Sequence, residues 1–186
     1  MIDPLSIQSP LEDHSLLSEP RCGLYRRTGN CVCFLISRSG HCWISLGPDC
    51  PFSLCLLTIM LGFAWIFRVL MAPFVSAAIC TLGTVVIGSV IGFYMLTVLK
   101  DAGIEPRNVY LPASELCPKC GAELSPRTYH CNTCDVCIKG YDHHCPLTGK
   151  CIGEGNIRCF YSFLISLFLF VGYGVLWGLT STSPTA

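Results

Sequence analysis

Three uncharged apolar spans, with a segment crowded with cysteine and histidine between the second and third, predict an α-helical integral membrane protein. The extramembrane segment is expected to be stapled by metal. The composition agrees: of 186 residues, 52% are hydrophobic and only 13% charged, against about a quarter charged in an average soluble domain. Mean hydropathy is +0.55. A soluble globular enzyme does not fit these figures. Twelve basic residues balance twelve acidic ones, so no net positive field exists to recruit nucleic acid. The fifteen cysteines would suit a secreted disulfide scaffold. However, the first twenty residues are acidic and Pro/Ser-rich, without the basic start of a signal peptide.

The elements follow in order. Residues 1–28 mix Pro4, Pro10, Pro20, serines and acidic side chains without periodicity, and read as a disordered tail. Residues 29–50 form a pre-membrane segment with two β-like runs, 31–37 and 42–46, punctuated by Ser39-Gly40 and Gly47-Pro48-Asp49. Residues 51–99 hold two transmembrane helices, expected at 51–70 and 74–98 and separated near Pro73, with Arg68 close enough to one end to snorkel. A third helix is expected at 160–180, before a short tail, 181–186. Each span reaches the roughly 20 residues that a bilayer core of about 30 Å requires. Too little polar sequence remains to cover three such helices in a soluble fold. Four arginines precede the first span, seven Lys/Arg lie between the second and third, and none follows the third. The positive-inside rule therefore puts the N-terminus and residues 100–159 in the cytosol.

Residues 117–159 hold eight of the cysteines and three of the five histidines. Their order is Cys117-x2-Cys120-x9-His130-Cys131-x2-Cys134-x2-Cys137-x4-Asp142-His143-His144-Cys145-x5-Cys151. A Cys-x2-Cys turn presents two thiolates to one tetrahedral zinc ion, and a reducing cytosol favours metal over disulfides. The segment has few apolar residues, so it needs such a staple, and short hairpins around two zinc ions are expected. Two tetrahedral sites need eight donors, supplied by six paired or flanking cysteines with His130 and His144. Asp142, His143, Cys145 and the juxtamembrane Cys159 are left over. A surplus thiol two residues after a histidine suggests a nucleophile, Cys145, with His143 as its base and Asp142 orienting the imidazole. On spacing alone three alternatives stay open: Cys145 as a further ligand or inert thiol, His143 as ligand in place of His144, and Asp142 as a turn residue. Cys159 is either an acylation site or a packing residue.

These residues closely resemble the DHHC-type protein S-acyltransferases, membrane enzymes whose cytosolic cysteine-rich domain carries Asp-His-His-Cys. The resemblance runs from Cys117 to Phe160 and includes Arg127 and Asn156-x3-Phe160. Upstream, residues 101–107 resemble the family's Asp-Pro-Gly element, and Gly29-Asn30 and Gly47-Pro48-Asp49 resemble elements before the first span in plant-like members. The resemblance implies a two-step transfer from a long-chain acyl-CoA, through an acyl-enzyme on Cys145, to cysteines of membrane-associated substrate proteins. It implies two structural zinc ions, one on Cys117, Cys120, His130 and Cys137, the other on Cys131, Cys134, His144 and Cys151. It also implies residence in the endomembrane system (Golgi or ER) or the plasma membrane. Arg107, Lys119, Arg127, Lys139 and Lys150 are candidate contacts for the CoA phosphates. The sequence departs from the family at Leu147, where Trp is usual, at Gly149 and Lys150 in place of Asn, and at Ala102 in place of Pro. The family's fourth span and its later motifs do not occur in these residues, which implies a truncated product that binds acyl chains poorly. The competing expectation is a membrane-anchored zinc module without chemistry. A RING-like version is disfavoured because no Cys-x2-Cys pair follows Cys145.

Overall fold

The computed structural model describes residues 23–37, 41–71, 75–108 and 110–181. The stretches 1–22 and 182–186, with Arg21 and Arg38, lie outside the described residues.

Two of the three apolar spans become long helices near their expected places, α1 (Cys50–Met71) and α2 (Ala77–Leu99), and the third becomes α3 (Ile157–Ser181). At 1.5 Å per residue, helices of 22 to 25 residues are long enough to cross a bilayer core. α2 is the central one. Its buried residues Cys80, Gly83, Ile87, Val90, Tyr94 and Thr97 recur at alternating spacings of three and four, one continuous stripe packed against its neighbours. Phe63 of α1 meets Phe170 of α3 edge to face at 5.7 Å, and Tyr94 of α2 tilts against Phe163 of α3 at 5.5 Å. The Tyr173 hydroxyl donates to the Ile79 carbonyl (2.9 Å) at the other end of α2. The outward faces stay apolar and uncovered, with Trp65, Phe168 and Leu176 each more than 65% exposed, as suits lipid rather than water. Ser76 caps α2, its hydroxyl accepting from the Ile79 amide.

Before α1, three antiparallel strands form a sheet in the order β1 (Gly23–Thr28), β2 (Cys31–Ile36), β3 (Cys42–Leu46). The expectation of a disordered tail through residue 28 is corrected here: Gly23–Thr28 pairs along β2, from Gly23↔Ile36 to Thr28↔Cys31. Arg26 and Arg27 obscure the strand in the sequence. As an edge strand it tolerates them, and Tyr25 packs on Phe34 (5.9 Å). α3 likewise starts at Ile157, inside the expected 100–159 domain. Buried Asn156 supplies its first carbonyl acceptor to Phe160 (3.0 Å), while its Oδ1 accepts from Gly153.

Between α2 and α3 lie two hairpins. β4 (Thr128–Cys131) pairs with β5 (Val136–Lys139), and β6 (His143–Cys145) pairs with β7 (Lys150–Ile152). Residues 101–107 lie alongside them. The Asp101 carboxylate accepts from the amides of Gly103 and Ile104, and Lys139 donates back to the Gly103 carbonyl. The N-terminal sheet docks on this unit through its first turn. Gly29 (φ 55°) brings its backbone so close that a Cβ would lie 2.4 Å from the Asp135 carbonyl oxygen. Asn30 then donates from its amide to Cys134 O (2.8 Å) and from its side chain to Thr133 O (2.9 Å). Gly149 (φ 76°) makes a comparable close approach to the start of α1, where a Cβ would meet Ser53 Oγ at 2.9 Å. Gly149→Ala therefore combines left-handed strain with a clash, and is expected to cost about 1–3 kcal/mol. Thermal unfolding of the detergent-solubilised protein would reveal it; a midpoint equal to wild type would contradict the close approach.

Candidate metal centres and reactive strand

Strand register assembles the donors. In β4–β5, His130 lies opposite Cys137; in β6–β7, His144 lies opposite Cys151. Each such pair meets a Cys-x2-Cys turn. Cys117, Cys120, His130 and Cys137 form one group and Cys131, Cys134, His144 and Cys151 the other, with the donor atoms of each group within 4.8 Å of one another. Within them, Cys120 and Cys137 sulfurs are 3.5 Å apart, as are those of Cys134 and Cys151. His144 Nδ1 is 3.4–3.6 Å from the sulfurs of Cys131, Cys134 and Cys151. A tetrahedral zinc ion with Zn–S near 2.3 Å sets such separations at roughly 3.8 Å, so the donor set fits that ion with little adjustment. Electrostatics point the same way. Hydrogen bonds from Cys151 and Cys31 hold the Cys134 thiol far below its ordinary value, at about 2. Donating that hydrogen bond pushes Cys151 up, and burial pushes Cys137 up. Sulfurs this crowded cannot all ionise alone, and a divalent cation removes the conflict.

β6 divides its three side chains between two faces. Successive strand residues point to opposite sides, so His144 turns into the second donor group while His143 and Cys145 share the other side. Neither His143 nor Cys145 belongs to a donor group among the described residues. His143 Nδ1 lies 2.8 Å from Asp142 Oδ2, and its ring meets Phe160 at the start of α3 edge to face, with centroids 5.3 Å apart. Cys145 is 8% exposed and is followed by a 3₁₀ turn, Pro146–Thr148, whose Thr148 hydroxyl returns to the Cys145 carbonyl. This turn is fixed to the helices: the Tyr94 hydroxyl donates to Leu147 O (2.8 Å) and lies 3.0 Å from Ser53 O.

The family model described as DHHC palmitoyltransferase matches residues 111–185. Palmitoyltransferase ZDHHC18 of Homo sapiens is 49% identical over 51 residues, 27% of this chain and 13% of that protein. Palmitoyltransferase ZDHHC9 of Pongo abelii is 46% identical over 75 residues, 40% of this chain and 20% of the relative. Palmitoyltransferase akr1 of Schizosaccharomyces pombe is 50% identical over 54 residues, 29% of this chain and 8% of the relative. The chain thus matches a fifth or less of the length of these curated relatives.

The hairpin unit and its flanks separate the five candidate phosphate contacts. Arg107, Lys119, Arg127 and Lys139 are exposed. Of these, Arg107 Nε already donates to Cys120 O (3.2 Å) and Lys119 Nζ to Asn132 Oδ1 (2.6 Å). Lys150 is a correction: it is 2% exposed and cannot present its charge to a soluble phosphate. Its ammonium donates to Ser45 O (2.6 Å), Ser45 Oγ (3.0 Å) and Lys100 O (2.6 Å), tying β3 and the end of α2 to the strand that carries Cys151. Burial pushes Lys150 down to about 8, against the pull of the Asp101 carboxylate. Asp101 Oδ1 is itself buried without a hydrogen-bond partner. One long side chain thus replaces several shorter polar links, a role the sequence pattern gave no signal for.

Two further residues belong to the surroundings of the site without a local sequence signal. Tyr94 looked like one more apolar-span residue, and Asp49 like part of a turn, yet Asp49 Oδ2 lies 2.8 Å from His144 Nε2. Deeper among the helices, Ile59, Met60 and Phe63 of α1 face Ile87, Val90 and Ile91 of α2 and Leu167 and Phe170 of α3 around an apolar cavity of about 220 Å³. Ile91 and Leu167 lie three and four residues from Tyr94 and Phe163, so the cavity begins about 5 Å farther into the helices than the Tyr94 clamp.

Lys150→Met keeps the apolar stem but strands two carbonyls and a hydroxyl. It is expected to destabilise the protein by about 1–3 kcal/mol. Lys119→Gln, at the surface, should change stability by about 0.5 kcal/mol at most. Paired thermal-shift measurements test the contrast, and equal shifts would contradict the peg role of Lys150.

Proposed function

We propose that this chain is a protein-cysteine S-acyltransferase of the DHHC type, using a long-chain acyl-CoA and passing the acyl group to cysteines of membrane-associated proteins. The observation that carries the reading is the division of β6. His144 is committed to a donor group, whereas His143 and Cys145 lie outside both groups, with His143 held at 2.8 Å by Asp142. Cys145 is the nucleophile and His143 the general base. With Nδ1 engaged by Asp142, the imidazole has Nε2 available to take the Cys145 proton. The Cys145 sulfur attacks the thioester carbonyl. A new S–C bond forms to the acyl group, the bond to the CoA sulfur breaks, and the CoA thiolate leaves, taking up a proton. A substrate thiol then repeats the exchange on the Cys145 thioester, giving up its proton as Cys145 regains one. The relatives named palmitoyltransferase support the acyl class.

The two donor groups hold structural zinc ions, whose chemistry is to fix the hairpins and so the direction of β6. Arg107, Arg127, Lys119 and Lys139 remain for the CoA phosphates. The three helices span the membrane, with the hairpin domain on the cytosolic side, in an endomembrane or plasma membrane. The apolar cavity beyond Tyr94 suits the acyl chain, each buried methylene contributing about 0.8 kcal/mol. That depth explains why the reacting thiol sits at the helix mouth rather than out in the domain.

Two measurements test this reading. Purified protein incubated with an alkyne-tagged palmitoyl-CoA is expected to carry hydroxylamine-labile label that Cys145→Ser abolishes; His143→Gln should slow labelling about 10²- to 10⁴-fold. Label undiminished in Cys145→Ser would reject the nucleophile. Elemental analysis should find two zinc ions per chain, and Cys134→Ala should lose one and expose the hairpins to protease, since metal binding and folding are linked. Full protection after chelation would reject the structural role.

A further inference from the structure

The two donor groups are built alike but supported differently. In each, the histidine turns Nδ1 toward the sulfurs: His130 Nδ1 is 3.6 Å from Cys117 and 4.0 Å from Cys137, and His144 Nδ1 is 3.4–3.6 Å from its three cysteines. A nitrogen that binds a cation must offer a lone pair, so the ring proton sits on Nε2, and what Nε2 meets decides how firmly the imidazole is oriented. His130 Nε2 faces Asp135, a local turn residue 57% exposed and 3.5 Å away. His144 Nε2 faces Asp49 at 2.8 Å, with the two side chains 13% and 29% exposed, across 95 positions of sequence. Asp49 is itself fixed. Its amide donates to Gly149 O (3.2 Å), and its carbonyl accepts from Phe52 in the first turn of α1. Its carboxylate is used on His144 rather than on the amides of that turn.

We propose that Asp49 is a positioning residue of the second metal centre: it accepts a hydrogen bond from His144 Nε2–H, fixes the tautomer that presents Nδ1 to the ion, and ties that ion to the start of α1. The inference rests on the metal reading above but not on the acyl chemistry. Asn30 reaches the same centre, its amide donating to Cys134 O and its side chain to Thr133 O, so the segment before α1 serves as an outer shell for this site. The first centre is supported from nearer in the sequence, by Glu105 N donating to Cys137 O (2.9 Å) and Arg107 Nε to Cys120 O (3.2 Å), with no distant carboxylate on its histidine among the described contacts. Because His144 is flanked by His143 and Cys145, loosening it would also loosen the reactive strand.

Zinc release tests the proposal. The full chain is purified in detergent, and release to the chromogenic chelator 4-(2-pyridylazo)resorcinol is timed for wild type, Asp49→Asn, Asp49→Glu and Asp135→Asn. Asn is the discriminating replacement, because it starts a helix as well as Asp does but lacks the charge. Asp49→Asn is expected to release one of its two ions about 10- to 100-fold faster, the usual effect of removing an outer-shell partner. Asp135→Asn should release both at the wild-type rate. Asp49→Glu, which keeps a carboxylate in reach, should restore slow release; this arm is read against wild type even where the Asn variant is too unstable to purify, and rapid loss of one ion from it overturns the proposal. Two ions retained by Asp49→Asn at the wild-type rate also overturn it, while leaving the metal reading standing. Wild-type protein that carries no zinc overturns both.

Discussion

His143, His144 and Cys145 leave a three-residue strand in alternating directions, and the rest of the molecule is arranged around that alternation. A histidine committed to a donor group fixes the strand's rotation, and fixing the rotation aims its neighbours at the opposite side, where Phe160 and the helix mouth lie. A slip of one residue in the β6–β7 register would send His143 and Cys145 toward the cysteines and His144 out. The hairpin has too few pairs to hold register by itself. The cluster opposite it does so, because four donors converge only when His144 faces Cys151.

The hairpin domain is also bound to its surroundings by buried polar contacts rather than by a large apolar core. Lys150 reaches β3 and the end of α2, Asn156 reaches Thr97 and Cys151, and the Tyr94 hydroxyl reaches both Ser53 and Leu147. Each of these links a backbone carbonyl of one element to a side chain of another, so loss of either partner strands a buried group. The consequence is a rigid collar at one end of the helix bundle. It holds the Cys145 turn against the helices a short distance from the apolar cavity.

Much of this was legible from residue types and spacing. Apolar runs of sufficient length gave the three helices, because hydrogen bonds inside a helix and uncharged side chains are what a bilayer demands, whatever the neighbours. The runs at 31–37 and 42–46 became β2 and β3, since β-branched and aromatic residues there are bounded by turn formers. The eight donors could be counted and their partition inferred from resemblance. β1 was hidden, because its pairing with β2 depends on a partner strand and not on its own arginine-bearing pattern. Lys150 is hidden for a related reason: a lysine in a polar run reads as surface, and its three acceptors come from distant elements.

By itself, then, the sequence determined the three helices, the strands β2 and β3 and the inventory of chemical groups, because hydrophobic length, turn chemistry and donor types act locally. How strand register brings each set of four donors together, and that Asp49 reaches His144, were decided only by the tertiary structure. Those relations depend on strand register and on contacts between residues as far as 95 positions apart, and no local pattern encodes such distances.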